Sequence, residues 1–263
     1  MKYDSKFTRR SGKNNTMDTR LCKKSRSKGC IGNSGGKDCA TVMALAAKAL
    51  GSDKVLAVAM PCHSIPQDLE DAKLVANAFY IPMIEIDISK MYDTMEESTN
   101  QVLQKEGLAK AIGIEAGINA KPRIRMTQLY LLAQTLDYLV IGTGNLCEKM
   151  VGYTTKWGDN SFDFNPIGNF TVEEVLQIGK YLGVPDKIIH KAPNDGLGGK
   201  TDEEKMGITY GEITEYIDTG KTEENAMKKI EKKYFASQHK RKEIPIYPYN
   251  RKNYLEERLE KKD

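Results

Sequence analysis

One stretch constrains the chain more than any other: Ile31-Gly32-Asn33-Ser34-Gly35-Gly36-Lys37-Asp38-Cys39, which hands directly into an alanine-rich run from Ala40 to Leu50. Adjacent glycines permit positive φ and close backbone approach, so successive N–H groups can converge on an anion where a helix begins. Ser34 adds a hydroxyl donor, Lys37 a point charge, and Asp38 a carboxylate suited to the Mg²⁺ that accompanies phosphates. A tight strand-to-helix turn would share the short Ser-Gly-Gly core, with Asp38 serving only the helix dipole. The glycine spacing and the missing terminal Lys-Ser/Thr exclude a Walker loop.

Around this stretch the hydrophobic pattern alternates strand with helix. A short strand near Gly29 to Gly32 enters the loop, and Val42, Leu45, Ala46 and Ala49 mark a helix face that Gly51 closes. Val55 to Met60 is a continuous apolar run, the mark of a strand covered on both faces. Leu69, Ala72, Ala76 and Phe79 predict a helix, Met83 to Ile88 a strand, residues 91–117 helix broken at Gly107 and Gly113, and Arg123 to Leu136 a long helix. Tyr138 to Gly142 reads as another buried strand. Thr171-Val-Glu-Glu174 opens a helix with a capping-box pattern, Pro185 starts the next, and a last helix spans about Glu223 to His239. The expected fold is α/β and Rossmann-like, an open parallel sheet of about five strands with helices on both faces. Ligands of such sheets gather beyond the carboxyl ends of strands, where Gly32 to Asp38 and Thr143 to Glu148 both lie.

Length and composition fit one soluble domain: 263 residues, 40% hydrophobic and 29% charged. No run reaches the roughly 18 apolar residues of a membrane span, and no charged-then-apolar secretion signal begins the chain, so a cytoplasmic location is expected. Cys22, Cys30, Cys39, Cys62 and Cys147 lack any Cys-x-x-Cys pair, which predicts free thiols and no structural zinc. The net charge of +4 is uneven: residues 1–28 hold ten Lys or Arg against Asp4 and Asp18. That segment has no periodicity and reads as a basic, poorly ordered arm; a flexible solvated tail and a nucleic-acid contact both suit it. Residues 29–245 form the domain, and the charged residues 246–263 a tail. Residues 192–202 form a Gly/Pro/Asn stretch.

From Lys121 onward the motifs accumulate: Pro122-Arg123-Ile-Arg125-Met126, Gly142-Thr143-Gly-Asn145, Glu148, Gly152-Tyr-Thr-Thr-Lys156-Trp-Gly-Asp159, Asp163 and Asn165-Pro166-Ile167. With Ser34-Gly-Gly-Lys-Asp38 before them and Thr201-Asp-Glu203 and His239-Lys240 after, the chain resembles the ammonia-dependent NAD synthetases, enzymes with an ATP pyrophosphatase loop. The resemblance covers residues 29 to about 245. It implies a C–N bond-forming ligase that uses ATP to adenylate the carboxylate of deamido-NAD and lets ammonia displace AMP, giving NAD, the last step of NAD biosynthesis.

By the same resemblance, Gly32, Asn33, Ser34, Gly35, Gly36, Lys37, Asp38, Cys39 and Thr143 contact ATP. Asp38 and Glu148 hold Mg²⁺, and Arg123, Lys156, Asp163, His239 and Lys240 line the deamido-NAD site; Asp38, Glu148 and Lys156 are the candidate catalytic residues. The implied partners are deamido-NAD, ATP and ammonia, with a second copy of the chain as a homodimer and neither nucleic acid nor membrane. Ammonia attacks directly, so no protein nucleophile is assigned. The chain departs from its relatives at Asn33, where they carry an apolar residue, at Cys39, where they carry Ser or Thr, at Val172 for a frequent Lys, and at Asn194 for Ser or Thr. These departures keep open a nucleotide-binding relative without turnover. A GMP synthetase or a tRNA-modifying enzyme shares the loop, but a tRNA enzyme calls for a basic body and residues 29–263 are net negative.

Overall fold

A computed structural model describes residues 28–191 and 201–246. The basic arm up to residue 27 with Cys22, the stretch 192–200 with Asn194, and the tail from residue 247 lie outside the described residues.

Four strands make one parallel sheet in the order β3-β2-β1-β4. They are β1 (Lys28–Gly32), β2 (Val55–Ala59), β3 (Met83–Glu85) and β4 (Tyr138–Ile141). The register aligns Ile31 with Ala57 on one side and with Ile141 on the other. Side chains alternate between faces. Ile31, Ala57 and Ile141 therefore join Val42, Met43, Val75, Val175 and Ile178 in one core cluster. Their neighbours Cys30, Val58 and Val140 join Met60, Ile88 and Ala133 in another cluster on the opposite face. Both faces are covered, so even the short Cys30-Ile31 pair is fully buried.

The expected strand count of about five is corrected to four among the described residues. Beside β4 a segment runs parallel to it, Asp163 N donating to Val140 O and Gly142 N to Phe164 O. It contributes a single bridge, Ile141 to Phe164, instead of a strand. The strand expected over Met83 to Ile88 stops at Glu85 because β2 ends at Ala59; Ile86 N and Ile88 N still bond to Ala59 O and Pro61 O along the loop.

Helix α1 (Lys37–Leu50) follows β1, α2 (Pro66–Ala78) follows β2 with Pro66 in its first turn, and α3 (Ser89–Lys105) follows β3. Helix α4 (Ile114–Leu136) begins nine residues before the expected Arg123 and carries Pro122 inside it. Pro122 has no N–H for the helix ladder, yet the helix runs through it, with Ala120, Ile124, Leu129 and Tyr130 packed against the core around Val58 and Val140. After β4 come α5 (Leu146–Val151), α6 (Val172–Leu182), α7 (Asp186–Ile189), α8 (Asp202–Met206), α9 (Tyr210–Thr219) and α10 (Glu224–Ala236). The last helix was expected to reach His239; it ends at Ala236 and Gln238–Lys240 forms a separate 3₁₀ turn. Helices α5, α9 and α10 enclose a satellite core around Cys147, Met206, Ile213 and Ile230. Among the described residues, no helix is long and apolar enough to cross a membrane.

β1, β2 and β3 step outward in one direction, and β4 returns to the other side of β1. The strand order thus reverses between β1 and β4, and the loops leaving their carboxyl ends face one crevice.

Candidate active site

The glycine-rich loop leaves β1 and opens α1. Gly36 is the N-cap and carries no side chain, so the first-turn N–H groups of Lys37, Asp38 and Cys39 have no side-chain acceptor from the cap. Such a terminus attracts anions. Gly35 stands at φ +71°, where a Cβ would lie 2.7 Å from both Ala72 N and Asp68 O. Only glycine lets the loop press this closely against α2.

Asn33 fixes that contact. It is buried, its Oδ1 accepting from Gly35 N at 3.1 Å while its Nδ2 donates to Ala72 O at 2.9 Å. Expected among the ATP contacts, its side chain is instead spent inside the protein. Cys39 is also buried; its thiol donates to Gly36 O at 3.3 Å and lies 3.1 Å from Ser34 Oγ, so it ties the loop to its own helix. Cys30, Cys39, Cys62 and Cys147 are all buried free thiols.

Across the crevice, Asn145 caps α5 in a capping box with Glu148: Glu148 N donates to Asn145 Oδ1 and Asn145 N to Glu148 Oε2. The remaining amide hydrogens of Asn145 reach Asp38 Oδ1 at 3.3 Å, so a helix cap joins the two loops. Burial first, and then the neighbouring Asp38 carboxylate, push Glu148 up to about 8. Burial works to lower Lys37, yet Asp38, Glu148 and Asp202 more than offset it and raise the ammonium above its ordinary value. Lys37 Nζ sits 2.9 Å from Asp38 Oδ2 and 5.4 Å over the Tyr210 ring. Asp38 and Glu148, joined through Asn145, are two carboxylates of the oxygen-donor type that hard divalent cations take. Thr143 and Gly144 join the end of β4 to the Asn145 cap; a Cβ at Gly144 would lie 3.6 Å from Glu148 Oε2, and Asn165 Nδ2 donates to Gly144 O at 2.8 Å.

The expected deamido-NAD residues divide into two groups. Arg123, Lys156 and Lys240 converge on the loop 152–159. Arg123 Nε donates to Lys156 O at 3.2 Å, and Lys240 Nζ donates to Gly152 O at 2.7 Å and Thr154 O at 2.5 Å. Lys240 titrates below an ordinary lysine, chiefly through burial, with Arg241 and Arg123 adding to the effect against Asp159. Lys156 lies 5.2 Å over the exposed Trp157 ring and not on Asp159, whose Oδ1 accepts from Thr155 N. Asp163 stands apart beside β4, Oδ2 accepting from Val140 N at 2.7 Å and Oδ1 from Tyr130 Oη at 3.4 Å. His239 is exposed on the 3₁₀ turn.

Asn145 and Arg125 stood in the sequence motifs without an assigned role, and Tyr210 stood in none. Asn145 carried a visible signal, an Asn three residues before Glu148, the spacing of a cap. Arg125, whose Nε donates to Met60 O at 3.0 Å, projects from α4 toward the end of β2, whereas Arg123 faces the loop, in keeping with their i,i+2 spacing. Tyr210 gave no signal, because only the fold brings α9 over Lys37.

A parallel α/β sheet with an uncapped glycine loop and paired carboxylates at its switch point defines a nucleotide-binding protein of the doubly wound class. The sequence pattern of the NAD synthase family matches residues 12–244. The chain is 43% identical over 219 residues to the NH(3)-dependent NAD(+) synthetase of Carboxydothermus hydrogenoformans, covering 83% of this chain and 87% of that one. Among solved structures it resembles NMN synthetase from Francisella tularensis, with a TM-score of 0.83 and 34% identity over 92% of this chain and 98% of that one. It also resembles the NH3-dependent NAD synthetase from Campylobacter jejuni in complex with the nitrate ion, with a TM-score of 0.73 and 25% identity over 92% and 99% of the two chains. The chain belongs to the NAD synthase family.

Proposed function

We infer that the protein is an ATP-dependent ligase that amidates deamido-NAD with ammonia, giving NAD, AMP and pyrophosphate. Family membership supports the reaction, and the observation that supports its location is the pairing of Asp38 and Glu148 through Asn145 beside the uncapped start of α1. In the first half, a carboxylate oxygen of deamido-NAD attacks the α-phosphorus of ATP as the bond to the β-phosphate oxygen breaks. In the second, the ammonia lone pair attacks the acyl carbon, the bond to the AMP oxygen breaks, and the nitrogen gives up one proton to solvent as AMP leaves.

The crevice answers the demands of that chemistry. The developing pyrophosphate charge is met by Ser34, by the N–H groups of the loop and first turn of α1, and by Lys37. Gly32, Asn33, Gly35, Gly36 and Cys39 shape that cradle, and Thr143 borders it. Asp38 and Glu148 are the residues that would hold Mg²⁺, which would supply neutralisation of the phosphate charge there. We assign Arg123, Lys156, His239 and Lys240 to the phosphates and carboxylate of deamido-NAD, and Asp163 to its donors; orientation of that carboxylate toward ATP is their contribution.

A homodimer accords with the surface of α3 and α4. Val102 of α3, Leu108 after it, and Ile114 and Leu131 of α4 are each more than half exposed, apolar surface that a second copy of the chain would cover. A cytoplasmic location suits an enzyme supplied by ATP and free ammonia.

The test is an assay of purified protein with ATP, Mg²⁺, ammonium and the carboxylate substrate, following AMP and product together. Because one solved relative is described as NMN synthetase, the assay offers both deamido-NAD and its mononucleotide counterpart. AMP and NAD in equal amounts from deamido-NAD support the proposal. Nucleotide binding without AMP would instead identify a relative that has lost turnover.

A further inference from the structure

Tyr210 is the first residue of α9 and is 5% exposed, packed into the satellite core. Its backbone N–H is satisfied by Glu203 Oε1 at 2.7 Å. Its side-chain hydroxyl is the one buried side-chain polar atom among the described residues with no hydrogen-bond partner. Such a group is costly and calls for a cause. Burial, and after it the carboxylates of Glu148, Asp202 and Asp38, hold the phenol protonated far above its ordinary range. The hydroxyl is thus an unpaired donor in the field of Glu148, Asp202 and Asp38, bonded to none of them.

A donor without an acceptor is completed by a ligand oxygen. The Lys37 ammonium, in the first turn of α1, lies 5.4 Å over the Tyr210 ring, so the ring borders that anion-receiving terminus. We propose that Tyr210 is a further phosphate-binding residue, its hydroxyl donating to a non-bridging oxygen of the pyrophosphate moiety of ATP beside Lys37. This rests on the assignment of the crevice to ATP. The hydroxyl is held unpaired in the ligand-free protein, so its hydrogen bond is realised only when phosphate arrives. It thereby adds to phosphate affinity and to stabilisation of the leaving pyrophosphate without any competing internal bond to break.

Tyr210→Phe removes the hydroxyl and keeps the ring. A residue with a structural hydrogen bond loses stability on this change; an unpaired donor does not. The expected result for ligand-free Tyr210→Phe is a melting temperature equal to or above that of the parent. The thermal stabilisation given by Mg²⁺ with inorganic pyrophosphate shrinks, and kcat/KM for ATP falls by about ten- to a hundredfold, the range of a hydrogen bond to a charged group. The proposal is overturned by pyrophosphate stabilisation and ATP kinetics that match the parent, or by a clear drop in the ligand-free melting temperature. The pyrophosphate arm reads Tyr210 even where the parent makes no NAD, so failure of this assignment and failure of the synthetase reading are told apart.

Discussion

Asn145 Nδ2 donates to Asp38 Oδ1 at 3.3 Å across the switch point of the sheet, while the same side chain caps α5 and takes Glu148 N. One carboxamide thus spaces the two carboxylates that the proposed metal requires. The glycine loop after β1 and the cap after β4 form a single unit, and its integrity depends on hydrogen bonds made inside the protein.

Asn33 is the clearest of these. Asn33→Leu removes the donor to Ala72 O and leaves Gly35 N–H without its acceptor in a buried loop. The expected loss is about 1–3 kcal/mol of stability, read by denaturant unfolding. KM for ATP rises as Gly35 leaves its contact with α2. Asn33→Asp keeps the acceptor for Gly35 and falls between the two.

Asp71 predicts the behaviour of the protein in acid. It is 1% exposed; burial alone would raise its pKa, but hydrogen bonds from Lys187, Lys191 and Gln67 prevail and hold it down to about 2. A carboxylate depressed in the folded state binds fewer protons there than in the unfolded chain, so it stabilises the fold above the unfolded value near about 3.9. That contribution is lost as pH falls toward 2. Asp71→Asn removes this part of the acid dependence, leaving a shallower fall of melting temperature between pH 4 and about 2 in a titration of thermal stability. A slope identical to the parent's would show that other carboxylates set it.

Val102 of α3 and Ile114 of α4, both exposed, offer a test of the proposed assembly. Val102→Glu combined with Ile114→Glu places charges where an apolar interface would need none. Sedimentation velocity is expected to find a dimer for the parent and a monomer for the double variant, with the ligand-free circular dichroism spectrum unchanged.

Most of the fold was legible because its signals are local. Val55 to Ala59 is apolar throughout and is a two-faced central strand; Thr171 and Glu174 announced a capping box that is present. The glycine loop was legible as well, since Gly35 takes the positive φ that its approach to α2 requires. What was not legible depends on contacts distant in sequence. Asn33 looks misplaced beside an apolar strand until Ala72, 39 residues away, supplies its partner. Pro122 signals a helix boundary that tertiary packing overrides. Tyr210 is unremarkable in sequence because Lys37 and Glu148 approach it only through the folding of α9 against the loop. Helices α8 and α9 each open with Thr and a Glu three residues on, a signal present in the sequence but not read as a helix start.

The central claim is that the Asp38 and Glu148 pair drives adenylation, and it is tested most directly by AMP formation from ATP and deamido-NAD at saturating Mg²⁺ in Asp38→Asn and Glu148→Gln. The account predicts equal amounts of AMP and NAD from the parent, and a fall of at least about a hundredfold in both products for each variant, the scale of losing one group that stabilises transition-state charge, with folding retained. AMP and NAD at parental rates from either variant would contradict it.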